Sequence, residues 1–139
     1  MLDIGNPSDP SAGIIGFWYR YVDDIICLWE STREGIMKFL THLNSQYPTV
    51  KFTVEIGGGE INFLDLQICL TPRGFEYDIY RKPTATDRYI DHLSYCHPWY
   101  KESPFIWMVH RLVNVPLQED AFGRELRVIE TLAQRNGIR

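Results

Sequence analysis

Residues 17–30, FWYRYVDDIICLWE, set two adjacent carboxylates, Asp23 and Asp24, inside an almost unbroken aromatic and aliphatic run. Taking an isolated carboxylate out of water is costly, and two side by side also repel each other. Three arrangements would compensate them: a tight turn that lifts both into solvent, basic partners, or divalent cations. Two apolar runs meeting at a polar pair read most simply as a β-hairpin with the aspartates at its turn.

Downstream of this hairpin, Ser31-Thr32-Arg33-Glu34 has the capping-box arrangement, and Ile36, Phe39, Leu40, Leu43 and Tyr47 repeat at helical spacing until Pro48. An amphipathic helix is expected there. Three strand-like runs follow, VKFTVEI at 50–56, INFLDLQICL at 61–70 and FEYDIYRK at 75–82. Gly57-Gly58-Gly59 separates the first pair and Pro72-Arg73-Gly74 the second, so the expected arrangement is an antiparallel meander. Residues 84–103 read as loop. Ser103-Pro104 supplies a cap and a first-turn proline for a helix through FIWMVHRLVN that stops at Pro116. A last helix is expected from Glu119 to Arg135, with Phe122, Leu126, Ile129 and Leu132/Ala133 on one face and Asn136-Gly137 as its end. Upstream, residues 1–16 are rich in Gly, Pro and Ser and read as a flexible tail. The fold class is α+β: a small antiparallel sheet with one packed helix, then a helical appendage.

Composition limits what such a chain can do. With 139 residues, 45% of them hydrophobic, it suits one compact domain or adjoining parts of a larger one. No apolar stretch reaches the roughly 18 residues needed to span a bilayer, and no signal-peptide layout is present, so no membrane partner is expected. Cys27, Cys69 and Cys96 are odd in number and widely spaced, which points to reduced thiols and an intracellular, nuclear or cytoplasmic location. His92, Cys96, His97 and His110 lack the paired spacing of a zinc set. A net charge of −4 argues against a generic, charge-driven nucleic-acid binder. The charge is uneven, however. Residues 1–70 hold four basic and nine acidic residues, and residues 71–139 ten and nine, so a polyanion would meet the second half.

The residues also carry a family resemblance. YVDD at 21–24 resembles the motif C box of reverse transcriptases. Together with FWYRYVDDI, the capped helix, KFTVEI, INFLDLQI at 61–68 and IYRKPTATDRY at 79–89, it resembles the reverse transcriptases of Penelope-like retroelements. HPWYKESPFIWMVHRL and ELRVIETLAQRNG resemble the thumb of that group. The resemblance covers about residues 17–139. It implies a partial polymerase palm over 17–90, carrying the motif C, D and E regions, and a thumb-like helical segment over 91–139.

The resemblance implies chemistry as well. Asp23 and Asp24 would bind Mg²⁺ (or Mn²⁺), with Asp23 the stronger ligand, and the partners would be an RNA template, a DNA primer and dNTP. Lys51 matches a lysine suited to protonating the leaving pyrophosphate, or is simply an exposed lysine at a strand start. Tyr21 belongs to the motif C box. Phe63 and Leu64 match a hairpin that supports the primer end, while Asp65 reads better as a turn aspartate than as a metal ligand. Arg81, Lys82 and Arg88, interleaved with Tyr77, Tyr80 and Tyr89, would contact phosphates, and Arg111, Arg124 and Arg127 of the thumb would add to them. Such palms take a further metal-binding aspartate, motif A, from an upstream strand, and sixteen residues before Phe17 leave no room for it or for the fingers. The expectation is therefore a reverse-transcriptase fragment, inactive alone. The other reading is a non-catalytic nucleic-acid-binding module or a decayed mobile-element remnant.

Overall fold

The computed structural model describes residues 14–138, which form an α+β chain of five strands and three helices in two compact units, the first ending at Ile56 and the second beginning at Gly57. The expected tail over residues 1–13 lies outside the described residues. Ile14 to Gly16, expected in that tail, instead open strand β1 (Ile14–Tyr21), because Ile14 and Ile15 pair with Glu30 and Trp29 of β2 (Asp24–Glu30). Branched side chains favour that extended pairing. The register shifts at Gly16, where a Cβ would lie 3.0 Å from Leu28 Cδ2.

Helix α1 (Arg33–Gln46) packs on one face of this hairpin through Phe39, whose ring meets Trp29 at 5.2 Å and the edge of Trp18 at 6.0 Å. Its cap is Thr32, one residue later than the capping box suggested, with Thr32 Oγ1 accepting the Gly35 N–H at 3.2 Å. Residues 50–56, expected as a strand, join no ladder. Instead the Asn44 side chain acts as a one-residue strand: Phe52 N–H donates to Asn44 Oδ1 at 2.6 Å and Asn44 Nδ2 donates to the Phe52 carbonyl at 3.0 Å. Both peptide groups are thereby satisfied without a neighbouring strand.

In the second unit the meander is β3 (Glu60–Phe63), β4 (Leu66–Thr71) and β5 (Gly74–Ile79), so the two sheets are separate rather than one. INFLDLQICL is not a single strand. A two-residue turn at Leu64-Asp65 folds it back, with Phe63 opposite Leu66 and Leu64 at φ 56°. Helix α2 (Pro98–Asn114) starts six residues before the expected Pro104, because His97 caps it and Pro98 occupies its first turn. His97 Nδ1 accepts the Trp99 N–H at 3.2 Å. Pro104 therefore lies inside the helix. Helix α3 (Glu119–Arg135) has the expected bounds and closes in a Schellman turn, with Gly137 at φ 71° and Ile138 N–H donating to the Ala133 carbonyl at 3.0 Å.

The core lies between these two helices: Phe105, Met108 and Leu112 against Ile129 and Leu132, with Tyr89 packed on Phe105. The buried stripe of α3 is Ala121, Glu125, Ile129 and Leu132, which leaves Phe122 and Leu126 38% and 37% exposed. The expected face was rotated because a glutamate in its centre reads as solvent-facing. Glu125 is instead 3% exposed. Arg81 grips it with both guanidinium nitrogens, at 2.5 and 2.8 Å, and Arg111 Nη2 reaches the same carboxylate at 3.3 Å. Arg111 Nη1 also reaches Asp65 Oδ2 at 3.1 Å.

Removing one member of such a cluster strands buried charge. Arg81→Ala, which leaves Glu125 buried with Arg111 as its one partner, is expected to lower the unfolding free energy of the second unit by about 3–5 kcal/mol, and adding Glu125→Leu to recover part of it. Urea unfolding of the three proteins by circular dichroism measures both effects.

Candidate functional site

The tip of the β1–β2 hairpin is Tyr21-Val22-Asp23-Asp24. Tyr21 pairs with Asp24, so Val22 and Asp23 alone form the turn. Val22 sits at φ 51°, a region that β-branched residues rarely enter. Arg20 Nε donates to the Val22 carbonyl at 2.7 Å and holds the turn from the β1 side. Asp23 and Asp24 are both exposed, so solvation answers their mutual repulsion. Side chains alternate along a strand. Trp18 and Trp29 point to α1, and Asp24 therefore shares the opposite face with Ile26, Tyr19 and Tyr21.

Two exposed carboxylates are a suitable donor set for a hard cation such as Mg²⁺, which keeps waters and takes phosphate oxygens as further ligands. Among the described residues no group of three or more His, Cys, Asp or Glu side chains gathers to hold an ion, and this covers His92, Cys96, His97 and His110. The three cysteines are free thiols.

The remaining candidates divide by what they touch. Lys51 is exposed, and its Nζ donates to the Asn44 carbonyl at 3.0 Å, near the end of α1, where a cation is favoured. Phe63 is half-buried at the end of β3, Leu64 forms the exposed turn, and Asp65 receives Arg111 while its carbonyl accepts the Tyr80 N–H at 2.8 Å. Asp65 thus has the turn role expected of it. Arg81 is committed to Glu125, whose hydrogen bonds raise its guanidinium above the ordinary arginine value. Lys82 and Arg88 are exposed and make no ion pair among the described residues. Arg111 is committed to Glu125 and Asp65. Arg124 bridges Asp78 at 2.7 Å and Asp120 at 2.6 Å and holds the Asp120 carboxyl below the usual carboxylate value.

A second basic surface was not legible as a unit. Arg124, Arg127, Thr131 and Arg135 run along one side of α3 and, with Asp87, line an open groove of about 430 Å³. Their spacing of three, four and four residues aligns them on one side of the helix. No known protein family, curated protein or solved structure matches the chain.

Two substitutions test the hairpin tip. Asp24→Asn is expected to leave the melting temperature unchanged or slightly higher, since one repulsive charge is removed and no hydrogen bond is lost. A clear fall would assign Asp24 a structural role. Val22→Gly is expected to stabilise the hairpin by about 1 kcal/mol by relieving the positive φ, read from the same thermal melts.

Proposed function

We propose that this chain is the portion of a Penelope-like reverse transcriptase that runs from motif C through the thumb, with the Tyr21–Asp24 turn as its metal-binding tip. What supports this most is one observation: two adjacent, exposed aspartates at the tip of an aromatic hairpin backed by a capped helix, Asp23 in a two-residue turn whose Val22 has positive φ and Asp24 opening β2. Strain of this sort collects at functional turns. A bound divalent cation would polarise phosphate oxygens and activate a primer hydroxyl. The chain's own part is to present Asp23 and Asp24 in water, hold the turn through Arg20, and keep Tyr21 beside the carboxylates. On this reading Phe63 and Leu64 lie at a second turn facing the primer end, with RNA template, DNA primer and dNTP as partners. Lys51, donating to the helix carbonyl, fits the capping role better than proton donation.

The α3 groove favours a second reading, a nucleic-acid-binding module without catalysis. Arg127 and Arg135 make no ion pair among the described residues and share one wall with Arg124. Both readings place polyanion contacts in the second unit.

The first of two measurements tests the inactivity that both readings share, and the second separates them. Two carboxylates alone leave a two-metal site half built, so the 139-residue protein is expected to incorporate no dNTP on an oligo(dT)-primed RNA template with Mg²⁺ or Mn²⁺. Mn²⁺ titration followed by electron paramagnetic resonance should still show weak binding that Asp23→Asn abolishes. Unchanged binding in that variant removes the metal reading, and template-dependent incorporation removes the claim of inactivity.

For the polyanion surface, Lys82→Ala with Arg88→Ala is expected to weaken RNA–DNA hybrid binding and reduce its salt slope by about one to two phosphate contacts. Arg81→Ala is unsuitable for this purpose, because it uncovers Glu125. Hybrid titrations at several salt concentrations give the slopes. Equal slopes in the two proteins would move the contact to the α3 groove.

A further inference from the structure

Helix α2 has two apolar faces. One carries Phe105, Met108 and Leu112 into the core. The other, turned about half a revolution away, carries Trp99, Ile106, Trp107 and Val113, all partly exposed and none of them in the core cluster of the described residues. Trp107 is 68% and Val113 65% exposed, far more than scattered surface hydrophobes require. Trp99, Ser103, Ile106, His110 and Val113 follow one another at intervals of four, three, four and three residues. That is the spacing of a seam that receives a second helix.

We propose that this face of α2 is where two copies of the chain associate, the helices lying antiparallel about a two-fold axis between Ile106 and Trp107. A two-fold interface must be complementary to itself. In this register Ile106 meets Trp107 of the second copy, Tyr100 meets Val113, and Ser103 meets His110, so large side chains face smaller ones and a hydroxyl faces an imidazole. A parallel pairing would set Trp99 on Trp99 and His110 on His110, which matches neither shape nor charge. The seam carries no Lys, Arg, Asp or Glu, so no unpaired charge is buried by closing it.

Area decides the strength. A buried aromatic ring covers ~150–250 Å², so the exposed parts of Trp99, Tyr100 and Trp107 with Ile106 and Val113 offer roughly 500–600 Å² per copy. A standard interface takes about 800 Å² from each partner. The face supplies most of this and places the pair at the low end of specific interfaces, as a concentration-dependent dimer rather than an obligate one. The inference stands apart from the polymerase reading, since it uses neither the hairpin tip nor the basic groove.

Sedimentation velocity of the full chain tests it. The weight-average mass is expected to rise with concentration from 16.3 kDa toward twice that value. Ile106→Glu, which sets two carboxylates beside the axis, should weaken association about thirtyfold or more while leaving the circular dichroism spectrum unchanged. A second arm does not depend on that variant folding. In a background with Cys27, Cys69 and Cys96 changed to serine, Ile106→Cys should form an intermolecular disulfide on mild oxidation much faster than Glu130→Cys on the exposed side of α3. A wild-type chain that stays monomeric at every concentration overturns the proposal. So does a dimer that Ile106→Glu leaves intact, or equal crosslinking at the two positions.

Discussion

Glu125 is the constraint on which the second unit is built. A carboxylate 3% exposed is tolerable only with full hydrogen bonding, and two arginines from different parts of the chain supply it. Arg81 follows β5, Arg111 belongs to α2, and Asp65 at the β3–β4 turn extends the chain of charges. The buried apolar cluster lies between α2 and α3, with Tyr89, Leu117 and Ile138 packed on it and no meander residue among them, and polar ties join the meander to the helices. Those ties are Arg81–Glu125, Arg111–Asp65, Arg124–Asp78 and a single bridge between Tyr77 and Leu117. Charges of this kind contribute little net stability but fix one arrangement, because any slip leaves Glu125 unpaired.

The two short hairpins use the same device for different ends. Tyr21-Val22-Asp23 and Phe63-Leu64-Asp65 each place an aromatic residue at the strand end, an aliphatic residue at positive φ, then an aspartate. In the second turn the aspartate is recruited by Arg111 and serves the architecture. In the first, no cation of the chain engages Asp23 or Asp24 among the described residues, and the hairpin leaves them to solvent. The contrast separates a structural aspartate from a presented one within a single chain.

Local chemistry made several elements legible. The hairpin about Asp23-Asp24, α1 before Pro48 and α3 from Glu119 to Arg135 each have an explicit stop and formed close to the expected bounds, although α1 ends at Gln46 and the buried face of α3 differs. The misreadings share a cause. INFLDLQICL looked like one strand because its turn uses Leu64 rather than glycine. Ser103-Pro104 reads as the start of α2, but His97-Pro98 opens it, because a histidine nitrogen can also cap. Glu125 rotated the apparent face of α3, and the same buried pair removed Arg81 from the available cations. Burial of a charge depends on partners far along the chain, here 44 residues away, and no local window contains that information. Asn44 and Phe52 lie only eight residues apart, but residues 50–56 have the composition of a strand and nothing in it marks a side chain as their partner.

Pro104 gives α2 an uneven resistance to opening. With no N–H to offer, it leaves the Tyr100 carbonyl without its intrahelical donor, and the turns on either side lose one link of cooperativity. The stretch after it carries Phe105, Met108 and Leu112 and is anchored by the core. The stretch before it rests on the His97 cap and on Lys101, whose Nζ donates to the His92 carbonyl at 2.7 Å. Fluctuations should therefore unwind 98–103 while 105–114 stays wound, a difference that amide hydrogen exchange reads residue by residue. The helix is continuous in outline, but only the stretch after Pro104 is held by the core.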